Sequence, residues 1–328
     1  MNKNSVYLLV LAFALLGVFG LAFRARWVTA SGTIYIRATG EVEGTDKITS
    51  ADNVTYTFTD DINDSMIIER GNITIDGAGY KLQRTGSETG IQIWVSGFQE
   101  NVTIKNIEIA SFSTGISLTN TGNITVSASK IRNCSTGIAF GESFNNIISG
   151  NIITNNTSGF GGSTVTDTVI SGNIITNNTN GILFNWAQDN SIYLNNITNN
   201  EYGIYMEGMN VYNNIFYHNN FINNTNQVYI EQTNPNVWDD GYPSGGNYWD
   251  DFPDLYPLVG DDYRGPDQNE AGSDGIWDGP YSIDGNNTDR YPLTTVIPEF
   301  PAWASIVPAF ILLTIAVTIS KRRLTKTA

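Results

Sequence analysis

The chain has 328 residues and a formal net charge of −15, from 32 acidic and 17 basic side chains. This balance argues against a nucleic-acid partner, because neutralising phosphates requires a basic surface. The single cysteine, Cys134, cannot form an internal disulfide, and we expect a packed side chain there and not a nucleophile.

The N-terminal 30 residues are predicted to be a secretory signal peptide. Lys3 precedes an apolar run over residues 6–23, and small residues end the segment at Ala30, where cleavage is expected. An uncleaved anchor is the alternative, because the run is long enough to span a bilayer. Residues 31–65 are expected to be an irregular N-terminal cap with one strand over residues 33–36.

Residues 66–232 carry a repeat of about 22 residues. The phrase ISGNIITNN occupies residues 148–156 and again residues 170–178. Apolar residues, glycines and asparagines recur in columns at the same period, which is typical of a solenoid. The apolar columns are expected to point inward. They begin at Ile104, Ile109, Ile116 and Leu118, and the glycine column runs through Gly115, Gly137, Gly159, Gly181 and Gly203.

The local pattern within each repeat decides the type of solenoid. Apolar and polar residues alternate in short β-branched runs, which indicates strands, and Asn, Gly, Ser and Thr between them indicate turns. The leucine ladder of a leucine-rich repeat is absent, and no helical periodicity appears between residues 100 and 230. The sequence therefore predicts an all-β fold, a single-stranded right-handed parallel β-helix, whose stacked asparagines form hydrogen-bonded ladders.

The repeat stops before residues 233–297, which we expect to be an acidic, aromatic cap over the C-terminal end. Residues 298–328 are predicted to hold a proline-containing linker, a transmembrane helix over residues 304–320 and a basic cytoplasmic tail. The positive-inside rule then places the β domain on the extracellular face of the membrane. About a dozen Asn-x-Ser/Thr sequons are acceptors for glycans in that location, and a minority is expected to be modified.

Two sets of residues in the cap are candidate binding sites. Glu270, Asp274 and Asp278 follow part of a calcium-loop spacing and are candidate Ca²⁺ ligands, with Asp261 or Asp262 as further ligands. The alternative is that these acids are solvated turn residues. The second set is aromatic and could stack on sugar rings or pack in a small core. Its members are Trp238, Tyr248, Trp249 and Trp277.

Several motifs resemble a known group of β-helix proteins. Residues 75–80 (IDGAGY) and the later ISGNIITNN units resemble NosD-like proteins and the domain shared by carbohydrate-binding and sugar-hydrolysing proteins. The segments VWDDG, GNYWDD and PYSID, in residues 237–284, resemble the closing module of archaeal surface proteins of this group, and PEFP at 298–301 is similar to their C-terminal sorting signals. The resemblance implies the fold and a cell-surface location, but it does not imply one activity.

The favoured interpretation is an exported, membrane-anchored surface protein that binds glycans or is structural, with extracellular polysaccharide or a surface layer as partner. A polysaccharide lyase or glycoside hydrolase is the alternative. Carboxylates are sparse along the repeats, and His218 is the only histidine, so no catalytic residue is assigned. The NosD resemblance implies copper handling, but the sequence contains few Cys, His or Met residues that could bind copper.

Overall fold

A computed structural model of the chain describes residues 32–84, 86, 88–93 and 101–298. The expected signal peptide, the transmembrane helix and the basic tail lie outside the described residues. Within the described part of the chain, no helix is both long and apolar enough to cross a membrane.

Short strands make up nearly all of the regular structure, as the alternating pattern predicts. The N-terminal strands are β1 (Thr33–Ile36), β2 (Val42–Glu43), β3 (Ile48–Thr49), β4 (Thr55–Phe58), β5 (Ser65–Ile68), β6 (Ile73–Asp76), β7 (Lys81–Gln83) and β8 (Thr89–Ile93). The central strands are β9 (Val102–Lys105), β10 (Glu108–Ala110), β11 (Thr114–Thr119), β12 (Thr125–Ser127), β13 (Lys130–Arg132), β14 (Thr136–Phe144), β15 (Ile147–Ser149), β16 (Ile152–Thr154), β17 (Ser158–Thr166), β18 (Val169–Ser171), β19 (Ile174–Thr176), β20 (Asn180–Gln188), β21 (Ser191–Tyr193), β22 (Asn196–Thr198), β23 (Tyr202–Tyr212), β24 (Ile215–Tyr217), β25 (Asn220–Ile222) and β26 (Asn226–Ile230). The C-terminal elements are β27 (Tyr248–Trp249), α1 (Phe252–Leu255), β28 (Tyr263–Arg264), β29 (Glu270–Ala271), β30 (Tyr281–Ser282) and β31 (Thr288–Asp289).

Three long sheets wind these strands into a parallel β-helix of the predicted right-handed type. Sheet A follows the order β2-β1-β5-β8-β11-β14-β17-β20-β23-β26, sheet B runs from β24 back to β3, and sheet C runs from β27 to β7. Each coil contributes one strand to every sheet, and neighbouring coils pair in parallel with equivalent residues opposite each other, as Ile148 and Ile170 do. The repeat length of the sequence is therefore the length of one coil.

The predicted apolar columns fill the interior. Three of the columns are completely buried, through Ile104 to Ile192, Ile109 to Ile197 and Ile116 to Ile204. The fourth column is buried except at Gly162, where a Cβ atom would lie 2.6 Å from the Cβ atom of Phe140. Gly162 therefore allows close approach of the Phe140 backbone and Cβ atom, and the Phe140 ring stacks on Phe160 with centroids 6.1 Å apart.

The glycine column has a steric cause. A Cβ atom at Gly159 would lie 2.6 Å from the carbonyl oxygen of Gly181, and the other members of the column meet the next coil at similar distances. Any side chain here would push neighbouring coils apart. Glycine is thus required by close approach of the backbones and not by an unusual φ.

Asparagine ladders line the three corners between the sheets, as predicted. In the ladder at the corner between sheets B and C, the backbone N–H and Nδ2 of Asn151 donate to Oδ1 of Asn173 at 2.9 and 3.0 Å. Asn173 donates to Asn195 in the same way, and its Nδ2 also donates to the carbonyl of Ile148. Each ladder therefore has a direction, because every coil donates to the coil that follows it.

The N-terminal segment differs from the irregular cap that the sequence predicts. Strand β1 pairs in parallel with β5, and β4 pairs in parallel with β6, so residues 33–58 form a shortened first coil. Strands β2 and β3 pair antiparallel at the outer edges of sheets A and B. The two antiparallel strands cover the edges that a bare first coil would expose.

The direction of the ladders determines how the C-terminal cap is built. A ladder that donates toward the C-terminus must end on an acceptor, and a carboxylate accepts without donating. Asn236 donates to Asn287, whose Nδ2 is held by Asp284 at 2.9 Å. The ladder at the corner between sheets C and A passes through Gln227 to Asp250.

The third ladder ends on a buried carboxylate. Asn219 donates to Asn247, and the backbone N–H of Asn247 donates to Oδ2 of Asp289 at 2.7 Å. Trp249 Nε1 and the backbone N–H of Tyr291 also donate to Asp289. Burial raises the pKa of Asp289 to about 7, because removal from water outweighs the opposing effect of these donors.

The same Asn→Asp substitution at two positions of one coil distinguishes the contribution of a ladder asparagine to stability from that of a surface asparagine. Asn173→Asp removes the two hydrogen bonds that Nδ2 of Asn173 donates, to the carbonyl of Ile148 and to Oδ1 of Asn195. It also places a buried carboxylate against those two oxygens, so we expect the free energy of unfolding to fall by about 3 kcal/mol. Asn177→Asp changes an exposed turn residue at φ 57°, which Asp also adopts readily, and should leave stability within about 0.5 kcal/mol. Urea unfolding of the full-length protein in detergent measures both, and equal losses would contradict the ladder.

Asp289 should make stability depend on pH. Its pKa is about 7 in the folded chain and near the ordinary value of 3.8 when unfolded, so its contribution is full below pH 3.8. That contribution is lost as pH rises toward 7, at up to about 1.4 kcal/mol per pH unit. The difference between wild type and Asp289→Asn, followed by thermal unfolding from pH 4 to 8, isolates this slope. A difference that does not vary with pH would mean that Asp289 is ionised throughout.

Candidate functional site

The predicted calcium ligands do not converge. Asp278 accepts two backbone N–H groups of the preceding loop at 2.8 and 3.0 Å, and Asp274 accepts the backbone N–H of Ile276. Glu270 is exposed and lies 3.8 Å from Arg264. In the part of the chain that the structure describes, no three Asp, Glu, His or Cys side chains are placed to hold one metal ion. Calcium binding by these residues stays a prediction.

The further acids of this loop are engaged in the same way. Asp261 accepts hydrogen bonds from the Ser273 hydroxyl and from the backbone N–H groups of Asp274 and Gly275, at 2.7 to 3.1 Å. The backbone N–H groups of the loop thus supply the positive partners that a cation was expected to provide. The acidic residues of the cap are thus numerous because some of them accept hydrogen bonds in turns and others accept the last hydrogen bonds of the ladders.

The predicted sugar-stacking aromatics divide into two groups. Trp238 and Trp249 are completely buried, where a sugar ring cannot reach them. They continue two inward columns, with Trp238 stacked on Phe216 and Trp249 stacked on Phe221, both at 4.3 Å. Their large rings cover the last coil and close the core, which is the packing role that the sequence left open.

The other two aromatic candidates are half-buried. Trp277 packs face to face on Phe252 of α1, with centroids 5.0 Å apart. Tyr248 belongs to β27 and pairs with Asn220, so its backbone extends sheet C beyond the last coil. Residues 236–249 therefore continue the solenoid within the segment that the sequence assigned to the cap.

Soft metal ligands are scattered. Cys134 is buried, its Sγ donates to the carbonyl of Arg132, and burial raises the pKa of its thiol. Met66 and Met206 are buried in the core, whereas Met209 is 75% exposed. His218 binds the carbonyl of Ser244 at 2.7 Å, and no three His, Cys, Asp or Glu side chains of the described residues are grouped to hold a metal ion. These side chains do not fit a copper site, which needs several Cys, His or Met at one place.

A cluster of tyrosines lies on the outer face of sheet A, and sequence reasoning missed it. We call it the tyrosine cluster, formed by Tyr202 and Tyr205 of β23 and Tyr229 of β26. The rings of Tyr205 and Tyr229 stack with centroids 5.0 Å apart, because the two residues pair across adjacent strands. Tyr202 meets Tyr205 edge to face at 5.1 Å. Tyr229 is 43% exposed, so the cluster presents aromatic surface to solvent.

Carboxylates flank the tyrosine cluster. Burial raises the pKa of the Tyr205 hydroxyl, and the charges of Glu207 and Glu231 act in the same direction, so the phenol keeps its proton. Glu231 accepts the backbone N–H of Gly208 at 3.3 Å, and both glutamates are exposed. On the neighbouring strand β20, Trp186 is 51% exposed beside a register shift in sheet A. Rings with carboxylates at their edges suit a ligand that has both C–H faces and hydroxyls.

A polar groove runs across the coils at the corner between sheets C and A, with a volume of about 710 Å³. We call it the amide groove. The described residues that line it are all uncharged, and they include Asn133, Asn155, Asn177, Ser135, Thr157 and Thr179. The signal for it was present in the sequence, because the repeated Asn-x-Ser/Thr triplets fall at one position of the period.

Comparison with solved structures finds β-helix proteins of low similarity. The Dettilon tailspike protein (gp208) has a TM-score of 0.44 at 13% identity, over 56% of this chain and 52% of its own. An alginate lyase from Paenibacillus sp. str. FPU-7 has a TM-score of 0.29 at 13% identity, over 57% of this chain and 91% of its own. The chain spans about half the length of the Dettilon tailspike. No curated protein matches the chain.

The family comparison covers the coils and the start of the cap. The model described as "Periplasmic copper-binding protein (NosD)" matches residues 48–253, which is more than half of the chain. That range holds most of the paired strands of the three sheets and the asparagine ladders that join them. The chain belongs to the NosD family.

Proposed function

We propose that this chain is an exported, membrane-anchored surface protein that binds glycans. The tyrosine cluster carries the proposal. Stacked and edge-on phenol rings offer apolar faces to the C–H side of a sugar, and their hydroxyls, together with Glu207 and Glu231, offer partners to its hydroxyl groups. Aromatic side chains that touch one another at the surface form a contiguous apolar patch, and such a patch favours a binding role.

Binding fits this surface better than cleavage. Hydrolysis of a glycosidic bond uses two carboxylates, one of which is held protonated by an apolar site. Glu207 and Glu231 are both exposed to solvent. The family description names copper binding, but the Cys, His and Met side chains described above are not gathered at one place, so copper handling is not favoured.

Truncation of the tyrosine cluster tests glycan binding. Tyr205→Ala or Tyr229→Ala should weaken binding of the full-length protein to its best polysaccharide about tenfold, because a lost ring contact costs about 1.4 kcal/mol. Binding is measured on a polysaccharide panel and then by calorimetry. Tyr193→Ala is the matched control, because Tyr193 and Tyr217 form a stacked pair on sheet B, with centroids 5.1 Å apart. Failure to bind any polysaccharide, or equal effects of the three variants, would refute the proposal.

Export predicts that the β domain is accessible from outside the cell. Protease added to intact cells should remove residues 32–298, because the basic tail after the apolar C-terminal segment orients the chain. Immunoblotting with an antibody to the coils measures the loss, and a cytoplasmic protein is the control. Protection in intact cells together with digestion in lysed cells would refute an external location.

A further inference from the structure

A row of asparagines lies outside the ladders at the corner between sheets C and A. Asn133, Asn155 and Asn177 have φ of 55°, 55° and 57° and are exposed. The hydrogen bonds formed among the described residues do not involve these three side-chain amides. Each amide therefore offers a free donor and a free acceptor to a ligand, unlike the ladder asparagines directly after them in the chain.

The left-handed backbone does not by itself explain this row. The equivalent turn positions between sheets B and C are Ala128, Gly150, Gly172 and Leu194, with φ between 47° and 65°. Several residue types thus satisfy the same turn in this fold. Turn asparagines occur at other corners too, as at Asn145, and the row is distinguished by lining the amide groove in three successive coils with unbonded side-chain amides.

The amide groove ends one coil before the tyrosine cluster. The backbone N–H of Tyr202 donates to the carbonyl of Thr179 at 2.9 Å, and Thr179 lines the groove. The cluster therefore begins on the coil next to the last coil of the groove. Coils follow one another at about 4.8 Å, which is close to the length of one sugar unit in an extended polymer, so the combined surface spans about five units.

The charge of this surface selects the class of polymer. The described lining of the groove is uncharged, and the cluster carries Glu207 and Glu231. The neighbouring basic side chain, Arg132, is held by Glu108 at 2.6 Å. A polyanion such as a polyuronate would meet repulsion here without a compensating cation. Amides and hydroxyls instead match the hydroxyl groups of a neutral sugar.

We infer that the amide groove and the tyrosine cluster form one track for an uncharged, linear polysaccharide that runs along the solenoid axis. The inference rests on the proposed glycan binding and adds the class of ligand and its direction. The stacked rings hold one end of the bound segment. The amide row, with Ser135, Thr157 and Thr179, binds successive units at the spacing of the coils.

Oligosaccharides of graded length test the track. The full-length protein is titrated with size-fractionated neutral oligomers of glucan, mannan and chitin, and with oligogalacturonates as the anionic counterpart. We expect affinity for a neutral series to rise up to about five units. The double variant Asn155→Asp/Asn177→Asp should lose about tenfold in affinity for the long oligomers and keep the affinity for a disaccharide. Asn145→Asp, an exposed turn asparagine at another corner with φ 53°, is the control.

The outcomes separate the two proposals. The track would be overturned if long oligomers bind no better than a disaccharide, or if oligogalacturonates bind more tightly than neutral oligomers. The proposal of glycan binding would still stand in either case if Tyr205→Ala weakens the binding that is observed. Absence of binding to every oligomer would overturn both. Glycans found by mass spectrometry on Asn155 or Asn177 of the native protein would fill the groove covalently, and they would also overturn the track.

Discussion

The directional asparagine ladder is the interaction on which the rest of the molecule depends. Each rung accepts from the coil before it and donates to the coil after it, and its second Nδ2 proton binds a backbone carbonyl at the corner. A buried amide left without these partners would cost about 1 to 3 kcal/mol. The ladders bring the isoleucine columns into register, because equivalent asparagines bond to each other from one coil to the next.

The same direction explains why the chain changes composition after the last coil. Donors that point toward the C-terminus need acceptors, and the cap supplies Asp250, Asp284 and Asp289 at the three corners. Trp238 and Trp249 cover the apolar end of the core that lies between those corners. Two of the four aromatic candidates for sugar stacking, Trp238 and Trp249, thus serve to end the solenoid, whereas the candidate calcium ligands lie in a separate loop of the cap.

The outer surface is free of the constraints that set the interior. The coil spacing changes to 24 residues between Asn190 and Asn214 without loss of the ladder. Strand β23, within that longer coil, has 11 residues and carries two members of the tyrosine cluster. A scaffold that repeats inside can therefore vary outside, and ligand-binding surfaces are expected at such departures from the repeat.

The sequence by itself determined the solenoid, its strands, its inward columns and its ladders, because a period of 22 residues fixes which side chains stack whatever their distance along the chain. It did not determine that residues 33–58 form a shortened coil, that Asp289 ends a ladder, or that Trp238 and Trp249 are core residues. Those contacts join segments outside the repeat, where no period relates one residue to another. The tyrosine cluster and the amide groove also depend on tertiary structure, since only the winding of the coils places Asn177, Tyr202 and Tyr229 on successive coils.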